Sequence, residues 1–162
     1  MSLIKDIFSF IFPQSCIMCR NRLTSKEDYI CTSCLIHLPF TNYHLVENNP
    51  LEKYFWGLFP IERAASLFYH DGEKTRSIIY HIKYYHHPEV GKTLAAQYAK
   101  ELKEYQFFKD IDAIVPIPLH WKRKLKRNYN QSYYIAQGIS QSTGIPIFND
   151  VVKRVINNVS QT

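Results

Sequence analysis

Apolar and polar positions alternate between two periods along this chain, and the alternation predicts strands separated by helices. The apolar run over residues 64–69 reads as a strand. Ile78, Ile79 and Ile82 then recur at helical spacing, which predicts a helix over 73–84 with Asp71 as its N-cap. Pro88 suits the first turn of a second helix, whose buried stripe is Val90, Leu94, Ala95, Tyr98 and Leu102. Residues 111–115 are a second strand, and it must stop at Pro116 and Pro118, because proline cannot donate to a central ladder. Ile135, Ala136 and Ile139 mark a third helix, with Gly144 as its natural terminator and Pro146 just beyond. Residues 145–148 and 151–152 complete the set as short strands. Strands alternating with helices predict an α/β layer of parallel βα units.

Before this body the pattern changes. Residues 38–60 read as a linker with short helical character, punctuated by Pro39 and Pro50. Tyr54, Phe55, Trp56, Leu58 and Phe59 cluster there, either as the seam between a small module and the main body or as a base-stacking surface. The first twelve residues read as a short amphipathic helix or strand. Their apolar run is too short for a signal peptide, and no small-residue cleavage site follows. No apolar run approaches the ~20 residues of a membrane span. The expected setting is therefore the cytoplasm. The expected division is residues 1–45 for an N-terminal element and cysteine module, 46–60 for the linker, and 61–162 for the α/β body.

Composition adds one fact to this picture. The formal charge is +6, and five cations fall within six positions: Lys122, Arg123, Lys124, Lys126 and Arg127. Of twenty basic residues, setting those five aside leaves fifteen against fourteen acidic ones. The basic excess is thus a patch, and it points to an anionic partner: nucleic acid, a phosphorylated metabolite or a membrane surface. The alternative is a solvated basic loop. A buried strand that opens into a cationic loop and re-enters through a helix is a common phosphate cradle, because ligands of open α/β sheets sit beyond the carboxyl ends of strands.

All four cysteines lie in two C-x2-C pairs, Cys16 with Cys19 and Cys31 with Cys34, separated by eleven residues. Each pair can aim two thiolates at one metal, and two pairs close a tetrahedral shell, which predicts a structural zinc site. Two disulfides or an iron site would use the same residues, and a cytoplasmic setting weighs against the disulfides. His37 and His44 follow closely and are expected on the surface. His120 borders the basic run as a phosphate contact, an exposed residue or, less plainly, a proton shuttle. His86 and His87 are adjacent and so are expected to point apart. The five glycines are scattered, which excludes a Walker P-loop and a G-x-G-x-x-G fingerprint.

With these residues in place, the chain resembles the ComF family of competence-associated, amidophosphoribosyltransferase-like proteins along nearly its whole length. The paired C-x2-C is similar to the family's zinc module. Phe68 to Gly72 followed by Arg76, Ile79, Ile82 and Lys83 is similar to its F-x-Y-x-G … R-x-L-I-x-x-x-K segment. Gly91, Leu94 and Ala95 fit the G-x-x-L-A that follows. Val115, Pro116, Ile117, Pro118 and Leu119, then Arg123, then Arg127 to Gln131, are similar to V-P-V-P-L … R … R-G-F-N-Q. Gly144, Ile145 and Pro146, then Val152 and Arg154, also have counterparts.

The resemblance implies a type I phosphoribosyltransferase-like fold, a parallel sheet flanked by helices, with a zinc module before it and a role in DNA uptake alongside other competence proteins. It places Lys83, Arg123, Arg127, Asn130 and Gln131 beside the pyrophosphate of phosphoribosyl pyrophosphate, a ligand taken with Mg2+ in intact members. Two departures are expected to matter. Asn128 stands where the family has glycine, a mild change, since Asn is the next residue to tolerate positive φ. The family's acidic loop, two Asp then Thr-Thr-Gly, which cradles the ribose and 5′-phosphate, has no counterpart here; only Asp110 and Asp112 are near. The chain thus reads as truncated relative to the family, so phosphoribosyl transfer is not expected of it, and an uncovered sheet edge is. Two other readings stand beside this one. One is a single-stranded DNA-binding module, using the patch and its neighbours Trp121, Tyr129, Tyr133 and Tyr134. The other is an inactive fragment.

Overall fold

The structure is a computed structural model that describes residues 14–70 and 72–156. The expected N-terminal element over 1–12 and the Asp71 cap lie outside the described residues.

The chain begins in a cysteine-bearing turn. Ser15 and Arg22 form an antiparallel bridge, and Arg20, at φ 62°, closes the turn by donating its N–H to the Cys16 carbonyl at 2.8 Å. Helix α1, Thr32–Ile36, follows, with the Cys31 side chain accepting from the Cys34 N–H. A 3-10 turn, Tyr43–Leu45, leads to α2, Pro50–Phe55. Asn49 starts α2 with a capping box. Its Oδ1 accepts from Leu51 and Glu52 N–H while Glu52 accepts from the Asn49 N–H.

Three longer helices form the body. Helix α3, Gly72–Lys83, buries Thr75, Ile78 and Ile82. Helix α4, Pro88–Glu104, has proline in its first turn and buries Val90, Leu94, Ala99 and Leu102. Helix α6, Gln131–Thr143, is capped by Asn130 and ends on Gly144 at φ 80°. Ile78 and Ile82 of α3 share one core with Val90 and Leu94 of α4 and with Cys16, Ile30, Cys31, Cys34 and Leu38. The cysteine module is therefore packed into the same apolar interior as the helices. Ser77 of α3 ties it down further, donating its hydroxyl to the Ile17 carbonyl at 2.6 Å.

Helices α4 and α6 approach closely because of one residue. A Cβ built on Gly138 would lie 2.1 Å from the Lys92 carbonyl oxygen. Only glycine permits that backbone contact, and the Ser142 hydroxyl reinforces it by donating to the Ala96 carbonyl at 2.8 Å.

The expected parallel sheet is not formed. Among the described residues the chain is helical, and pairing is limited to isolated bridges: Ser15 with Arg22, Phe40 with Phe68, and Ile114 with Ile147. The type I phosphoribosyltransferase-like sheet read from the sequence is overturned by this architecture. The physical reason is local. Ile114 donates to the Pro146 carbonyl and accepts from Phe148, both at 2.9 Å. Pro146 has no N–H to continue the ladder, and Pro116 and Pro118 end the other strand two and four residues on. Residues 66–69 run beside 39–41, where Pro39 imposes the same limit. The expected strands are therefore absent: 64–69, 111–115 and 145–148 each make one isolated bridge and 151–152 makes none.

The cationic loop is also corrected. Trp121–Arg127 is a short helix, α5, capped by His120 Nδ1, which accepts from the Lys122 N–H at 3.4 Å. Lys, Arg and Leu are good helix formers, and the segment follows their intrinsic preference. Asn128 ends α5 at φ 64°, the left-handed conformation that Asn tolerates where glycine would sit most easily.

Candidate metal centre and cationic pocket

The four cysteines converge. Their sulfur atoms all lie within 4.8 Å of one another, with Cys16, Cys31 and Cys34 buried and Cys19 exposed. All four are free thiols, and Cys19 and Cys31 sulfurs stand 3.7 Å apart, far beyond a disulfide bond of about 2.05 Å. A tetrahedron with zinc–sulfur bonds of about 2.3 Å has edges of about 3.8 Å. The cluster therefore can hold a metal ion, and its spacing is compatible with zinc. Backbone geometry supports charge on the sulfurs, because the Cys31 N–H reaches Cys16 Sγ and the Cys34 N–H reaches Cys31 Sγ, each at 3.4 Å.

The thiols compete for protons in this small volume. Burial raises the Cys16 pKa, yet N–H groups of Cys19, Cys31 and Met18 outweigh it and bring the thiol to about 7. Cys34 is pushed the other way, by burial first and then by the neighbouring Cys19, Cys31 and Cys16 sulfurs. Glu27 braces the helix that carries Cys34. Its carboxylate accepts from the N–H and hydroxyl groups of both Thr24 and Thr32. Those bonds, the Thr24 N–H foremost, hold its pKa at about 2.

The histidines fall outside this centre. His37 is exposed and bonds the Ser33 carbonyl oxygen through Nδ1 at 2.7 Å. His44 is not on the surface as expected. Its side chain is 1% exposed, set edge-on to the Tyr98 and Tyr105 rings, with Nδ1 3.2 Å from the Tyr98 hydroxyl. Its Nε2 stands 3.0 Å from Glu101 but without hydrogen-bond alignment. Tyr98 and Glu101 lie on α4 and Tyr105 caps its end, all remote in sequence, and no local pattern announces them. His120 is buried as the cap of α5. His86 meets Tyr129 while His87 stacks on His81, so the adjacent pair does face different neighbours.

On the other side of the α3 terminus a second group converges. Lys83, from the last position of α3, and Arg123, Lys126 and Arg127, from α5, line one cavity of about 410 Å³ with Tyr84 and His86. No carboxylate is among the described lining residues. Arg127 is held in place: its Nη1 donates to Gln131 Oε1 at 2.5 Å, and its guanidinium lies 5.4 Å from the centre of the Tyr84 ring. Three of the five residues expected beside phosphate, Lys83, Arg123 and Arg127, thus share one cavity. The other two act behind it. Asn130 caps α6 and donates Nδ2 to the Ile117 carbonyl at 3.1 Å, and Gln131 orients Arg127. Tyr84 was not anticipated; its position four residues after Tyr80 on α3, whose ring it touches, is the signal that could have found it. Of the aromatic neighbours of the patch, Trp121 is 60% exposed. Tyr129 is tied inward, donating its hydroxyl to the Ile82 carbonyl at 2.8 Å, and Tyr133 and Tyr134 are partly buried against each other.

Fold and site together define a helical protein with a four-cysteine centre packed against α3 and a cationic pocket at the end of that helix. The chain is similar to Competence protein F of Haemophilus influenzae, 25% identical over 159 residues, which covers 93% of this chain and 69% of that protein. This match supports a distant relationship to the ComF family. No family model and no solved structure matches the chain. Among the described residues, no helix is long and apolar enough to cross a membrane.

Proposed function

We propose that this chain is a competence-related protein whose cationic pocket binds the phosphate groups of a phosphorylated ribose metabolite, while a structural zinc ion in the four-cysteine centre holds α1 and α3 in register. The observation that supports it is the meeting of Lys83 with Arg123, Lys126 and Arg127 in one cavity without a carboxylate. A solvated basic run needs no partner from another helix. Guanidinium forks suit phosphate oxygens, and an Arg127 already fixed by Gln131 and Tyr84 loses little freedom on binding. The relationship to Competence protein F carries the competence role. A four-thiolate shell leaves no open coordination position, so the metal serves folding.

The test is a calorimetric titration of the zinc-loaded chain with phosphoribosyl pyrophosphate and Mg2+, with pyrophosphate, and with a single-stranded oligonucleotide. Binding of the first two, weakened by Arg127→Ala by roughly tenfold to a hundredfold, is the expected result, the equivalent of one charge-assisted contact. Oligonucleotide binding that falls steeply with salt, without metabolite binding, transfers the patch to single-stranded DNA. Exposed Trp121, with Lys122 Nζ 5.5 Å from its ring centre, is the feature that favours that second reading. Binding of none of them leaves the inactive-fragment reading.

A further inference from the structure

A second cleft among the described residues is larger than the cationic pocket. It lies between the cysteine turn and α3 and measures about 950 Å³, with Tyr85 and His87 lining it while Tyr84 and His86 line the pocket. Its volume falls within the range of small-molecule sites. Two guanidinium-bearing side chains line it, Arg20 from the turn and Arg76 from α3, along with the rings of Tyr80, His81, Tyr85 and His87. Tyr80 and Tyr85 are 38% and 57% exposed. The rings are organised. His81 stacks on His87 with centroids 5.5 Å apart at 30°, and it packs on Tyr85 at 4.9 Å.

His81 carries a specific polarity. Its Nδ1 is buried with no hydrogen-bond partner. Burying a lone pair costs less than burying an N–H, which puts the ring proton on Nε2. Burial, and then His87, hold the His81 pKa below the ordinary imidazole range, so the ring is a neutral donor. The cleft thus offers flat apolar faces, a neutral ring N–H and two cations. Glu73, at the start of α3, is the acid that lines it.

We infer that this cleft is a nucleotide site, in which Tyr80, Tyr85 and the His81–His87 pair take the base and Arg20 and Arg76 take the phosphate. Stacking on Tyr and His suits any base, because every base has a π-face. A guanidinium pair suits the phosphate of a free nucleotide or of a single strand alike. Tyr80 in the cleft touches Tyr84 in the cationic pocket, with ring centroids 5.4 Å apart, so the two sites adjoin. The inference does not depend on what the cationic pocket holds.

The experiment uses the full zinc-loaded chain, titrated with each of the four nucleoside monophosphates and with a short single-stranded oligodeoxynucleotide. The variants are Arg76→Ala, Tyr80→Leu, Tyr80→Phe and, for the neighbouring pocket, Arg127→Ala. Arg76 and Tyr80 are exposed, and thermal melts confirm that the variants fold. Saturable binding of a monophosphate or of the strand is expected. Measured in the Arg127→Ala background, so that phosphate held by the neighbouring pocket does not contribute, it should weaken by roughly tenfold in Arg76→Ala and Tyr80→Leu, as loss of one stacked base contact implies, and persist in Tyr80→Phe. Binding by monophosphates identifies the free nucleotide as the source; binding by the strand alone identifies a polymer. No binding of either, or binding that depends on Arg127 and ignores Arg76 and Tyr80, overturns the assignment.

Discussion

Replacing Gly138 with alanine separates two opposing effects within one methyl group. Helix propensity alone favours alanine by about 1 kcal/mol in a helix interior. Packing opposes it. The new Cβ would stand 2.1 Å from the Lys92 carbonyl oxygen and 3.0 Å from the Ala96 nitrogen, both backbone atoms of α4 that no rotamer change can move. Ordinary carbon–oxygen contact begins at about 3.3 Å, so α4 and α6 must part by about 1 Å. A gap of that size forfeits a quarter to a half of each dispersion contact between the two helices, and it stretches the 2.8 Å bond from Ser142 to Ala96. Overpacking costs about 1–3 kcal/mol and the weakened hydrogen bond about 1 kcal/mol, which leaves a net loss of about 1–3 kcal/mol after the propensity gain. Denaturant unfolding of the zinc-loaded chain should show a lower midpoint at unchanged slope. Gly91→Ala is the internal control. Its Cβ would meet only Ile135 and Ile82 side-chain atoms, at 3.3 Å, which can shift by a few tenths of an ångström. It should change stability by less than about 1 kcal/mol. A Gly138→Ala protein as stable as the parent, or more so, would refute the close-approach account of α4 and α6.

Three further outcomes follow from the same structure. Zinc removal by a chelator should raise hydrogen exchange across residues 14–38 and in α3, since Cys16, Cys31 and Cys34 share a core with Ile78 and Ile82; unchanged exchange there would contradict it. Glu27, held at about 2 against an ordinary 4.5, stabilises the fold fully above the unfolded value and loses that contribution as pH falls through about 2. The stability gap between the parent and Glu27→Gln should therefore close between pH 4.5 and 2, and a gap that does not narrow there would sink the assignment. Asn49→Ala removes a buried side chain that caps α2 and donates to the Ala64 and Tyr43 carbonyls at 2.9 and 3.3 Å. It should cost about 2 kcal/mol in chemical unfolding, and a loss under ~0.5 kcal/mol would show the cap to be dispensable.

What could be read in the sequence was what depends on neighbours in the chain. The isoleucines of α3, proline at the start of α4 and Gly144 after α6 specify their helices through local spacing and backbone preference. The C-x2-C pairs likewise determine which side chains meet. The sheet is not legible because an apolar run that abuts proline satisfies the pattern of a strand while denying the hydrogen bonds of a ladder, as at Ile114 before Pro116 and Ile147 after Pro146. Charge hid the α5 helix, whose lysines and arginines are also good helix formers. Gly138 and His44 depend on partners far along the chain, Lys92 in one case and Tyr98 in the other, and nothing beside them in sequence marks the contact. The cationic pocket was partly legible. Motif resemblance supplied Lys83 together with the α5 arginines, whereas the roles of Asn130 as cap and Gln131 as brace emerge only in three dimensions.

Lys83 offers the most direct test of the proposed function, because it lies outside the basic run and reaches the pocket only through the fold. The measurement is the pyrophosphate affinity of Lys83→Ala beside that of Arg127→Ala, at one ionic strength. A pocket that holds phosphate predicts comparable losses, roughly tenfold or more for each. Full affinity in Lys83→Ala, with binding lost only when cations of α5 are removed, would reduce the site to a solvated basic run and contradict the account.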